Sequence, residues 1–192
     1  MSPPEIVKIA VPPGPQIKTV SIDEFIQMDL PERKNLLAPW LPEQGLAMVH
    51  AERGIGKTFF ALNCAYAVAT GGRFLNFQAP EPRQVVYIDG EMPASAMQER
   101  LSQIRSSYPA DEVLLRLVTP DLQPKNQGSI NLADLVYQEA LAPEIENADL
   151  IVIDNISTLV RGGKENESES WLPVQEWALQ QRAAGRSVLW VH

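Results

Sequence analysis

The chain has 192 residues, 45% of them hydrophobic and 21% charged, which suits one soluble globular domain with a sizeable core. Sixteen Lys and Arg against 24 Asp and Glu leave a net charge of −8, which excludes a generally basic nucleic-acid coat but not a basic loop inside a ring. No apolar run approaches the ~20 residues of a membrane span, the start does not read as a secretory signal, and the single cysteine, Cys64, excludes an internal disulfide framework and fits a reducing cytoplasm.

Residues 1–35 read as a proline-rich extension: Pro3, Pro4, Pro12, Pro13 and Pro15 block regular helix. Within it "SIDEFIQM" (21–28) predicts a short helix, with Ser21 as N-cap and Glu24 three residues on. "LLAPWLPEQG" (36–45) reads as a loop interrupted by Pro39 and Pro42, its Leu36, Leu37, Trp40 and Leu41 packing onto the domain edge. From there strand and helix alternate. "GLAMVHA" (45–51) is a buried strand, "KTFFALNCAYAVATGG" (57–72) a core helix with Cys64 inside it, and "QVVYIDGE" (84–91) a second strand. A helix follows over 93–104, a strand over 114–119, a helix over 131–141 and a strand over 148–155. Last come a helix over 169–185, whose Trp171 and Trp177 read as core, and a strand over 187–192. Crossovers too long for hairpins predict an α/β fold with a mostly parallel sheet flanked by helices over 36–192, and ligands at the carboxyl ends of its strands.

"AERGIGKT" (51–58) comes close to the phosphate loop GxxxxGK[ST], with Ala51 in place of the first glycine. The candidate nucleotide-binding residues are Ala51, Glu52, Arg53, Gly54, Ile55, Gly56, Lys57, Thr58 and Phe59; Glu52 and Arg53 hold variable positions and read as solvated surface. Gly54 and Gly56 let successive N–H groups converge on one anion, and the following helix adds its N-terminal dipole. Lys57 suits the β- and γ-phosphates, and Thr58 offers a hydroxyl to Mg²⁺. Alanine at position 51 costs little if its φ stays negative.

"LIVIDN" sets Asp154 at the end of a buried strand, where a carboxylate can orient Mg²⁺. "YIDGEMP" ends the preceding strand candidate in Asp89 and Glu91; Glu91 is read as the base that polarises water, with Asp89 as its rival. "ISTLVRGGKENESES" (156–170) carries Arg161 and Lys164 around two glycines, a candidate DNA-facing tip, although three glutamates follow and a solvated loop fits equally.

Together, the loop at 51–58, Glu91, Asp154 in "LIVIDN" and a strand ending in His192 resemble the RecA/DnaB-type ATPase core. More closely, "LPEQGLAMVHAERGIGKTFFALNCAYAVATGG" followed by "VVYIDGEMPASAMQERL" resembles the AAA_25 group of plasmid- and phage-borne proteins, which includes hexameric helicases of the RepA type. The resemblance spans about residues 36–192. It implies a RecA-like P-loop core that binds ATP (and ADP) with Mg²⁺, assembles as a homo-hexameric ring and acts on single-stranded DNA. It implies Lys57 and Thr58 on phosphate and metal, Glu91 activating water, Asp154 as the second acidic motif and His192 as a γ-phosphate sensor. Relatives continue past the position of His192 through strands carrying a basic finger and a second DNA-facing loop. The sequence therefore reads as a truncated core that binds nucleotide more readily than it turns over, since such a finger contributes ~10³-fold or more to rate. A regulatory ATPase switch acting on protein partners is the second reading; a small-molecule kinase is disfavoured because no Arg-rich lid follows.

Overall fold

The computed structural model describes residues 17–125, 128–161 and 167–192. The described residues divide into two units, one ending at Glu32 and the other starting at Arg33. In the first, helix α1 (Ile22–Ile26) starts at the expected cap: Ser21 Oγ accepts from Glu24 N–H at 3.2 Å, and Glu24 Oε2 accepts from Ser21 N–H at 2.9 Å.

The second unit opens with a departure from the sequence reading. Residues 36–45 are not wholly loop, because β1 (Asn35–Leu37) and β2 (Leu41–Pro42) pair antiparallel. Short edge strands tolerate proline, and the ladder lets Leu36, Leu37 and Leu41 bury completely while Trp40 packs beside them. Strand β3 (Leu46–Val49) leads to α2 (Lys57–Thr70), which ends on Gly71 at φ +65°. A second hairpin, β4 (Arg73–Phe74) with β5 (Phe77–Gln78), was not legible beforehand.

Then follow β6 (Val85–Asp89), α3 (Ala94–Ser107), β7 (Leu115–Val118) and a 3-10 turn at Pro120–Leu122. Helix α4 (Leu135–Ile145) begins four residues later than predicted, because Asp134 caps it by accepting from Val136 N–H at 3.0 Å. Strand β8 (Leu150–Asp154), the one-turn α5 (Ile156–Leu159), α6 (Glu167–Ala183) and β9 (Ser187–Val191) complete the unit. Among the described residues no helix is long and apolar enough to cross a membrane.

The predicted parallel sheet is present, in the order β3-β9-β8-β6-β7, every neighbour parallel. Its two faces bury alternate residues of the central strands β6, β8 and β9, whereas β3, expected to be a buried strand, lies at the edge with Leu46 and Met48 exposed. Val85, Tyr87, Leu150, Val152, Leu189 and Val191 pack with α2, including Leu62 and Cys64. Val86, Ile88, Ile151, Ile153, Val188 and Trp190 pack with Leu141, Ile145, Val174 and Trp177. Trp171 and Trp177 both sit against Trp190, ring centroids 5.5 and 6.4 Å away, so they are core as the sequence suggested. The register matters most for function: Asp89 lies beside Asp154, and Asp154 beside Val191, so three strands end on one line.

Candidate functional site

The phosphate loop bridges that line. Gly54 and Gly56 stand at φ +89° and +100°, in the left-handed region that a side chain disfavours; a Cβ at either would meet nothing within 4 Å. Backbone twist, not crowding, therefore calls for glycine at both positions. Helix α2 begins at Lys57, so its unpaired first amides face the loop. Lys57 Nζ donates to the Ala51 carbonyl at 2.5 Å and to that of Glu52 at 2.8 Å, which closes the loop and leaves one N–H for an anion. Ala51 is not among the positive-φ residues, and its own N–H donates to the His192 carbonyl at 3.2 Å. The main chain of β9 fixes this position, so its methyl group is accommodated.

The acids arrive from two adjacent strands. Asp154 is buried, and its Oδ2 accepts the Tyr87 hydroxyl at 2.5 Å. Burial raises its carboxyl above the usual range; the hydroxyls of Tyr87 and Thr58 pull it back, and the charge of Glu91 adds to the rise. Burial, then the neighbouring Asp154, in turn pushes the Tyr87 phenol well above its ordinary value. Asp89, also buried, accepts from Met92 N–H at 2.9 Å, and burial pushes its carboxyl up to about 6. Glu91 differs from both: its side chain is half exposed, its Oε2 accepts from Asn155 Nδ2 at 2.9 Å, and the Arg53 guanidinium stands 3.6 Å from its Oε1.

These groups share one cleft of about 870 Å³, roomy enough for a nucleotide. Of the sequence-predicted residues it gathers Ala51, Arg53, Gly54, Gly56, Lys57, Thr58, Asp89, Glu91, Asp154 and His192, whereas Glu52, Ile55 and Phe59 do not line it. The His192 ring is exposed and lies 5.1 Å from that of His50, a residue the sequence did not single out. Arg161 lies apart from the cleft. Its guanidinium donates to the carbonyls of Ser129 and Ile130, and its backbone N–H to Asn131 Oδ1, so the side chain is tied to the loop before α4. Lys164 falls outside the described residues.

Sequence reasoning missed Asn155, Tyr87, Arg100 and Thr158. Asn155 was visible as the residue after Asp154, and Ala96 and Arg100 lie one turn apart on α3 behind its N-cap Pro93, which brings them to the cleft together. Tyr87 gave no signal, since its partner is 67 residues away.

Among the described residues no three His, Cys, Asp or Glu side chains converge into a protein-only metal cage. The donor set instead suits Mg²⁺: the Thr58 hydroxyl and the Asp154 carboxylate, both lining the cleft, are the residues that would hold it. Buried carboxyls held above their ordinary range at one strand line are what a divalent cation would relieve.

Among solved structures, the KaiC-like protein of the archaeon Pyrococcus horikoshii superposes with a TM-score of 0.53 at 16% identity, over 81% of this chain and 64% of its own length. The flagellar accessory protein FlaH of Methanocaldococcus jannaschii gives 0.47 at 12% identity, over 78% and 61%. The chain thus spans less than two thirds of either structure. No curated protein matches it. The fold is the RecA-like P-loop α/β fold. The AAA_25 family model, described as an AAA domain, matches residues 11–192, and the chain belongs to that family.

Proposed function

We propose that the protein binds ATP with Mg²⁺ and hydrolyses it, working in the cytoplasm as a RepA-like hexameric helicase on single-stranded DNA during plasmid, phage or mobile-element replication. The observation that carries the hydrolytic reading is the meeting of Lys57, Thr58, Asp154 and Glu91 in one cleft at the carboxyl ends of the sheet. Lys57 and the loop amides hold the β- and γ-phosphates, and Thr58 with Asp154 orients the metal. When bound, Mg²⁺ neutralises charge developing on the phosphate oxygens. Glu91, half exposed and oriented by Asn155, takes the proton from the attacking water; Asp89 is buried and tied to Met92, which suits it to shaping the turn. His192, at the end of the strand that holds Ala51, is well placed to report the γ-phosphate to the rest of a ring.

The DNA-directed part is tested by ATPase rate with and without single-stranded DNA, and by strand separation. Stimulation together with unwinding is expected; neither in the full-length protein ends the helicase reading. A regulatory ATPase switch acting on protein partners is the second reading. It is favoured by the engagement of Arg161 with Ser129 and Ile130, which takes one of the two basic candidates away from a strand.

A further inference from the structure

We infer that Asn155 is a positioning residue for Glu91: one side-chain amide both aims the base and fixes it to helix α5. Asn155 Oδ1 accepts from Thr158 N–H at 3.1 Å and from the Thr158 hydroxyl at 3.3 Å, capping α5. A backbone N–H can only donate, so this contact assigns the oxygen and leaves Nδ2 facing Glu91, where it donates to Oε2 at 2.9 Å. The other oxygen, Oε1, has the Arg53 guanidinium 3.6 Å away, on a side chain that is almost wholly exposed. An exposed contact of that length is weak, so the amide is the firmer of the two restraints.

The backbone between the acids reinforces the arrangement. Gly90 N–H donates to the Asp154 carbonyl at 2.8 Å, and a Cβ on Gly90 would come within 2.3 Å of Thr158 Oγ1 and 2.7 Å of Leu159 Cγ. The Asp89–Glu91 turn therefore rests directly on the helix that Asn155 caps. Glu91 is thereby registered to β8 and α5 rather than only to its own strand. A base that must meet one water gains from such fixing, because misplacement by about 1 Å can cost on the order of 10²-fold in rate.

The inference rests on the reading of Glu91 as base, and the two separate cleanly. Asn155→Asp keeps the oxygen that caps α5 and replaces the donor to Glu91 with a second carboxylate. Expected for this variant is a kcat lower by roughly tenfold or more, KM for ATP within about twofold, and an unchanged urea midpoint. A kcat at or above the wild-type value, or a KM that rises in step with the loss, overturns the positioning role. Glu91→Gln is run alongside: if it turns over ATP normally, the base assignment itself has failed, whereas a dead Gln variant beside a fully active Asp variant sinks only the role of Asn155. A second readout needs no turnover. In nucleotide-free protein the ¹H–¹⁵N side-chain amide signal of Asn155 should shift on Glu91→Ala, while the Thr158 backbone amide stays in place in Asn155→Asp. An Asn155 signal indifferent to Glu91→Ala overturns the contact.

Discussion

Tyr87 and Asp154, on neighbouring strands, form a hydrogen bond of 2.5 Å between two buried side chains. Burial raises the Asp154 carboxyl and the phenol pulls it back, so the phenol favours the charged form and Tyr87→Phe weakens chiefly that form. The expected cost at pH 8 is about 1–3 kcal/mol, measured by urea unfolding. Since the hydroxyl pulls the Asp154 carboxyl down, its loss moves that carboxyl further up, and Mg²⁺-dependent nucleotide binding should fade at a higher pH than in wild type. An unshifted pH profile in a fluorescent-nucleotide titration would refute the link.

Asp89 supplies a pH test with a definite sign. Its folded carboxyl lies near 6 against 3.8 in the reference state, raised first by burial. The folded form therefore holds the proton more tightly than the unfolded form, so this contribution is present at pH 4 and is lost as pH rises through about 6. Asp89→Asn keeps an acceptor for Met92 N–H and cannot ionise. Relative to wild type it should gain stability between pH 4 and pH 7 and hold that gain at pH 8, as read from urea midpoints. Parallel curves for the two proteins would contradict the burial effect. The same variant should retain hydrolysis if Glu91 is the base.

Position 90 is expected to accept only glycine. In Gly90→Ala the new methyl meets Thr158 Oγ1 and Leu159 Cγ, and Thr158 cannot rotate without losing its bonds to Asn155. We expect destabilisation of about 1–3 kcal/mol with partial recovery in Gly90→Ala/Thr158→Ala. If the single variant unfolds at the wild-type midpoint, the packing described around α5 is wrong.

Two glycine tests separate the parts of the phosphate loop. Ala51→Gly should leave nucleotide affinity within about twofold, because position 51 has no need of left-handed backbone. Gly56→Ala places a methyl-bearing residue at φ +100° and should cost about 1–2 kcal/mol of local strain, seen as a clear loss of nucleotide affinity by isothermal titration. Equal effects from the two substitutions would contradict the loop geometry.

Cys64 should be chemically silent. It is wholly buried on α2, and burial pushes its thiol up to about 12, so almost no thiolate forms at pH 8. Reaction with Ellman's reagent should follow the urea unfolding curve; rapid labelling of native protein would show that the helix opens.

What could be read from sequence was local. "AERGIGKT" carries its own glycine pattern, and the runs ending in Asp154 and Glu91 announce buried strands with acids at their ends, so the parallel sheet and the chemistry at its edge were both accessible. What escaped depends on register between distant segments. Tyr87 reads as one more apolar strand residue until β6 lies beside β8, and Asn155 reads as punctuation until Glu91 is folded against it. The β1–β2 hairpin was hidden for another reason: Pro39 and Pro42 argue against strand locally, and only the burial of three leucines outweighs them. Arg161 misled in the opposite direction, since glycine neighbours suggested a free tip where carbonyls of residues 129 and 130 hold it.

The strand order also governs how the site comes into being. Strand β3, which launches the phosphate loop, lies at one edge of the sheet, and its one sheet neighbour among the described residues is β9 at Ser187–Val191. The loop is made early by the ribosome, yet its main-chain anchor, the Ala51 N–H on the His192 carbonyl, exists only once β9 and His192 have been synthesised. Such far-separated parallel pairing closes slowly. A nascent chain thus carries a finished phosphate-loop sequence before its sheet neighbour exists, and the ability to hold a nucleotide should emerge only when β9 has been placed beside β3.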